Sequence, residues 1–114
     1  MPGDRDLLER LYARFNARDM EAVLAVMQPD VVWANGLEGG YVYGHDGVRE
    51  YWTRQWATID SCAEPTGFSV GVDGTTDVEV HLTARDREGK VVFDKIGHHI
   101  FLIEDGLIRR FDIR

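Results

Sequence analysis

Along the first half of the chain, apolar residues recur at helical spacing. Over residues 5–17, Leu7, Leu8, Leu11, Tyr12 and Phe15 fall on one side of a helix, and charged residues fill the other. Asp6 followed by Glu9 has the form of a capping box at its start. Asp19 is placed to cap a second, short helix in which Met20, Val23, Leu24 and Met27 recur at i, i+3, i+4 and i+7, with Pro29 ending it. This predicts a helical hairpin. "VVWANG" then reads as a short strand, and the glycine-rich "LEGGYVYGHDG" as a loop with a brief strand at 41–43. A third helix starting near Asp46 presents Val48, Tyr51, Trp52, Trp56 and Ile59 on one face.

From Glu64 the period changes to strand and turn. The segments "TGFSVGV", "TTDVEVHLTAR", "KVVFDKIGHHIFLI" and "LIRRFDIR" are separated by "DG", "DREG" and "EDG", each ending in a glycine that accepts positive φ. Helices first and an antiparallel meander afterwards predict an α+β fold, the helices covering one face of a curved sheet.

Side chains alternate along a strand, so only one of the adjacent His98 and His99 can face the interior. A three-residue loop at Glu104, Asp105 and Gly106 sets His98 opposite Asp112, and a loop at Arg87, Glu88 and Gly89 sets Val78 beside His98. One face then carries Val78, Val80, Leu82, Ile96, His98, Ile100, Leu102, Ile108, Arg110 and Asp112. The other carries Glu79, His81, Thr83, Phe93, Lys95, His99, Phe101, Arg109 and Phe111. On this register the aliphatic face, with His98 on it, is the one under the helices. A two-residue Asp-Gly turn would shift the pairing by one and scramble both faces.

Composition narrows the partners. The 114 residues suit one domain spanning 1–114, and 44% apolar residues suffice for a core. Thirteen basic against 20 acidic residues give a net charge of −7, which disfavours nucleic acid and anionic membrane surfaces. The lone Cys62 excludes an internal disulfide and fits a reducing compartment. No stretch has signal-peptide form or membrane-spanning length, so a soluble cytoplasmic protein is expected.

The first helix ending in "NARD", then "PDVVWANG", a glycine loop, "GVREYW" and a meander closing with "GHHIFLIEDGLIRRFDI" resemble the nuclear transport factor 2-like superfamily, in its SnoaL-like and ketosteroid-isomerase-like branch. The resemblance covers nearly the whole chain and rests on element order and short phrases. It implies a cone in which three helices and a strongly bent sheet enclose a deep apolar cavity, and a homodimer through the outer sheet face. The phenylalanines at 93, 101 and 111 also make that outer face more apolar than a solvated one should be. Ketosteroid isomerase uses an aspartate base and an oxyanion hole made by a tyrosine and a protonated aspartic acid. Aligned through Asp30, this chain has Asn35 at the base position and His98 at the acid position, and Tyr12 meets the tyrosine with a shift of one residue. An amide cannot abstract a proton, so that isomerisation mechanism is not expected.

The candidate catalytic set is therefore His98 oriented by Asp112, with Asn35 binding a ligand carbonyl or positioning water. Tyr12, Trp33, Tyr51, Trp52, Trp56 and Arg110 are the candidate ligand-binding residues. A buried His98–Asp112 pair that only satisfies itself, and an aromatic stripe that is only core, are the structural alternatives. Glu79, His81 and His99 have no ligand spacing, and the glycines match no phosphate loop, so neither metal nor cofactor is expected. The expected function is binding of a small apolar, oxygen-bearing molecule with cofactor-independent proton transfer or water addition or elimination. Isomerase, dehydratase, cyclase and hydrolase chemistries stay open, as does a non-catalytic ligand-binding or dimerisation module.

Overall fold

A computed structural model describes residues 4–36, 38–71 and 73–114. The order is α1 (Asp4–Asn16), α2 (Met20–Leu24), β1 (Met27–Ala34), β2 (Tyr41–Tyr43), α3 (Gly44–Thr58), β3 (Ile59–Val70), β4 (Thr76–Asp86), β5 (Val91–Glu104) and β6 (Leu107–Ile113). The strands form one sheet in the order β2-β1-β6-β5-β4-β3, antiparallel except for the parallel β1–β6 pair. This is the expected α+β architecture of three helices on a mainly antiparallel, curled sheet, and the sheet is not closed. Bulges bend it: register shifts interrupt β1–β6, β3–β4, β4–β5 and β5–β6.

The helical stripes fold as their spacing requires. Leu7, Leu8, Leu11 and Tyr12 of α1 and Val48, Tyr51 and Trp52 of α3 are buried, and they meet Val78, Val80, Phe101 and Phe111 from the sheet in one core. Asp19 caps α2 as expected, its side chain accepting from Ala22 N–H. Four boundaries differ. Asp6 lies inside α1 rather than at its cap, adding negative charge to the first turn where free N–H groups gather. The second helix ends at Leu24, not Pro29, because the Val26 carbonyl is taken by Ile108 N–H and Met27 already begins β1. Pro29 sits in the irregular stretch between Met27 and Val32, where a missing strand N–H is tolerated. The strand β3 begins at Ile59, directly after α3.

The free edge of β3 is covered by the end of α1. The Asn16 amide donates to the Ala63 carbonyl and accepts from Ala63 N–H, at 2.8 and 2.9 Å, so it pairs with that edge as a strand would. Arg18 adds bonds to the Ser61 carbonyl and the Asp60 carboxylate. This holds α1 over the concave face and so sets the depth of the space beneath it.

Register decides what that space contains. The β4–β5 hairpin closes with the expected three-residue loop, Gly89 at φ 83. Between Arg85↔Val91 and Ala84↔Phe93, however, β5 carries one extra residue, Val92. A one-residue bulge sends every later side chain of β5 to the opposite face. Val78 therefore pairs with His99, and Val80 with Gly97, not with His98 and Ile96. In the last hairpin Asp105 and Gly106 both have positive φ, 54 and 77, so the turn is the two-residue type. A second bulge at Arg109 then shifts the pairing again, to Leu102↔Arg110, Phe101↔Phe111 and Ile100↔Asp112. From Phe93 on, β5 thus presents the reverse of the expected faces, and so does β6 after Arg109, whereas Ile108 before that bulge stays in the core as expected. Phe101 and Phe111 are core residues, which removes them as evidence for an apolar outer face.

Candidate functional site

Beneath α1 and α3 the sheet encloses a cavity of about 270 Å³. Its walls are aromatic. Trp33 of β1 stacks on Phe111 of β6 with centroids 4.2 Å apart, meets Trp52 of α3 edge-on at 5.2 Å, and lies against Phe101 of β5. These rings come from separate strands and a helix, so no short motif announces them.

The polar centre is a pair. Tyr12 of α1 reaches across to His99 of β5, with its hydroxyl 2.7 Å from the imidazole Nδ1. Phe101 and Phe111 meet the imidazole edge-on. Burial holds the Tyr12 hydroxyl well above the ordinary tyrosine range, so it keeps its proton. Burial, then the nearby charges of His98 and Lys95, hold the His99 imidazole down to about 4, so it is neutral at physiological pH. Two neutral groups share this bond, and the imidazole tautomer decides which donates. The Nε2 atom has no hydrogen-bond partner among the described residues, and His99 lines the cavity. The pair can therefore offer an incoming ligand oxygen either a donor or an acceptor.

A second polar group lines the opposite wall. Gly36 N–H and Gln55 Nε2 both donate to the Tyr51 hydroxyl oxygen at 3.1 Å, and Ser61 Oγ donates to Gln55 Oε1 at 3.1 Å. This chain ties the end of β1 to α3 and the start of β3.

Of the expected site residues, Tyr12, Trp33, Tyr51 and Trp52 line the cavity. Trp56 packs on Trp52 and Phe15 beside it, and its indole N–H has no partner among the described residues. Asn35 adjoins the cavity, but its amide donates to Glu38 Oε1 and its oxygen accepts from Glu38 N–H, both at 2.9 Å, which closes the loop after β1. The His98–Asp112 constellation is not formed. His98 lies on the outer face and bonds to Asp77 Oδ1 at 2.8 Å through Nδ1. Asp112 is held by Arg110, 2.7 Å from its Nε, and by the Tyr41 hydroxyl, and Arg110 lies over the Tyr41 ring. The bulge at Val92 is the reason, since it exchanges His98 for His99. It also separates His99 from His81, which bonds to Asp94 outside.

Sequence reasoning missed His99, Ser61, Gln55 and Lys95. The signal for His99 is present in the sequence: the face with His98 puts Arg110 and Asp112 in the core, while the other offers Phe101 and Phe111. The apolar run Val91, Val92, Phe93 breaks the alternation where the bulge sits.

No helix among the described residues is long and apolar enough to cross a membrane. No curated protein matches the chain. Among solved structures, it is similar to a putative polyketide cyclase from Sinorhizobium meliloti (22% identity, 96% of this chain and 94% of that one, TM-score 0.81). It is likewise similar to an NTF2-like protein of unknown function from Burkholderia pseudomallei (24% identity, 96% and 88% covered, TM-score 0.83). A third similar structure is TerC co-crystallized with polyporic acid (25% identity, 96% and 88% covered, TM-score 0.82). The model of the SnoaL-like domain matches residues 8–111, and on that match the chain belongs to the SnoaL-like domain family, within the NTF2-like superfamily.

Proposed function

We propose that the cavity binds a small apolar molecule carrying a carbonyl or hydroxyl oxygen, and that His99 exchanges a proton with it. The observation that carries this is the Tyr12–His99 hydrogen bond at 2.7 Å inside an aromatic cavity, with Nε2 left for the ligand. When Nδ1–H donates to the Tyr12 oxygen, Nε2 holds a lone pair. It takes a proton from the ligand, the imidazolium so formed stays bonded to Tyr12, and the same proton returns to another ligand atom. An imidazole held down to about 4 gives its proton back readily. Isomerisation or ring closure of a ketone fits this cycle, in keeping with the putative polyketide cyclase among the similar structures.

A non-catalytic binding module is the second reading. It is favoured by the absence of any Asp or Glu side chain among the described residues lining the cavity, which leaves His99 without a carboxylate to assist it. His99→Gln separates the two, because glutamine can hydrogen-bond Tyr12 but cannot take a proton. With a panel of aromatic ketones, lactones and epoxides, quenching of Trp33 and Trp52 fluorescence reports binding. The variant should bind within a few-fold of the parent and lose turnover by roughly 100-fold or more. Undiminished turnover would remove His99 from the chemistry.

A homodimer through the outer sheet face belongs to the same reading, on the family resemblance. Its support is now the exposed Val92, with the exposed Ile96 beside it also reaching the cavity rim, rather than the phenylalanines. Light scattering on the eluting protein should give twice the 13.0 kDa chain mass, and a monomer at micromolar concentration would overturn it.

A further inference from the structure

We propose that the ligand is an organic anion: an elongated aromatic body seated in the cavity, with a carboxylate or comparably acidic group held at the mouth by Lys95 and Arg114. This rests on the cavity being the binding site and adds the chemical class of what enters it. The chain as a whole is acidic, with 20 acidic against 13 basic residues, but its cavity is not. Among the described residues lining it there is no Asp or Glu, and the charged groups are Lys95 and Arg114.

The bulge that turns His99 inward turns Lys95 inward with it. Lys95 pairs with Leu82 on β4, is exposed at the rim, and has its Nζ 5.2 Å from the Phe93 ring centroid. It has no ion-pair partner among the described residues, whereas the adjacent Asp94 is bonded to His81 on the other face. The charge of Arg114 also reaches Asp73, so Lys95 is the freer of the two cations. Between Lys95 and His99 on the inner side stands Gly97, where an added Cβ would come 3.3 Å from Leu82 Cδ1. The Leu82 side chain packs into the space left over Gly97, and the strand runs past it as a track of about 13 Å, four residues from the cation to the imidazole. An aromatic body on that track would place its acidic end at Lys95 and a ring oxygen at His99.

Paired probes test this: naphthoate and its methyl ester, titrated against tryptophan fluorescence at low salt. A neutral apolar cavity would take the ester more tightly, because the carboxylate loses its hydration. The proposal expects the reverse order, naphthoate tighter by roughly fivefold as for a solvent-edge ion pair, shrinking with added salt. It also expects the preference to disappear in Lys95→Gln/Arg114→Gln, with ester binding unchanged. If the ester binds as tightly as naphthoate or more so, the cavity reading stands and the anionic ligand is overturned. If neither quenches the tryptophans, both readings fall. A preference that persists in the double variant would place the anion elsewhere and overturn the assignment.

Discussion

Phe101→Ala is expected to lower the unfolding free energy by about 3–5 kcal/mol, the usual range for removing a fully buried phenylalanine. Phe101 is 1% exposed and its ring touches those of Tyr12, Trp33, His99 and Phe111, which other elements hold in place. The cavity left behind would close only partly. Ile96→Ala, on the same strand, should change stability by less than about 0.5 kcal/mol, because Ile96 is 58% exposed. Urea midpoints of the two variants therefore measure the register of β5 directly. On the pairing expected from sequence the ranking is inverted, since Ile96 would then be core and Phe101 outside. A larger loss for Ile96→Ala would return His98 to the cavity and remove His99 from it.

Why the sequence led to the right fold and the wrong histidine is a matter of how far each signal reaches. The stripes on α1 and α3 are local, repeat over three or more turns and survive a boundary error of two residues. Alternation within β4 was equally legible, and Val78 and Val80 are buried as it requires. The relation between neighbouring strands is different, because it is carried by turn type and by bulges of one residue. Gly89 was recognised correctly, yet Val92 reversed everything after it. In the last hairpin the shorter turn and the bulge at Arg109 offset each other in parity, so β5 and β6 share faces as expected while pairing two residues out of step. Side-chain chemistry was the better guide. Burying two phenylalanines is favourable by several kcal/mol, whereas enclosing Arg110 and Asp112 needs a desolvated ion pair. The aromatic lining Tyr12, Trp33, Tyr51 and Trp52 was found because those residues lie on elements whose faces do not depend on the bulge. His99, Lys95 and Gly97 lie beyond it.

Stability should fall by about 3 kcal/mol as the pH is lowered from 6.5 to 4, and His99→Gln should remove most of that dependence. The sign follows from where the proton binds. In the unfolded chain an imidazole takes up a proton near 6.5, whereas His99 in the fold, 8% exposed and beside the charges of His98 and Lys95, does not until about 4. Between those values the unfolded state binds more protons. The contribution is therefore complete above pH 6.5 and is lost on acidification. The paired carboxylates, Glu21 and Glu38 among them, begin to lose their contribution only at the acid end of this range. Asp30, Asp73 and Asp112 are held below their ordinary range by hydrogen-bonded partners, so their contribution fades at still lower pH. Denaturation in urea at pH 7 and 4.5 measures the slope, and the imidazole signals in an NMR titration assign it, one set moving near 4 in the parent and missing in the variant. Equal stability at the two pH values would mean that His99 is as wet as an unfolded histidine, and the cavity would have lost its dry polar centre.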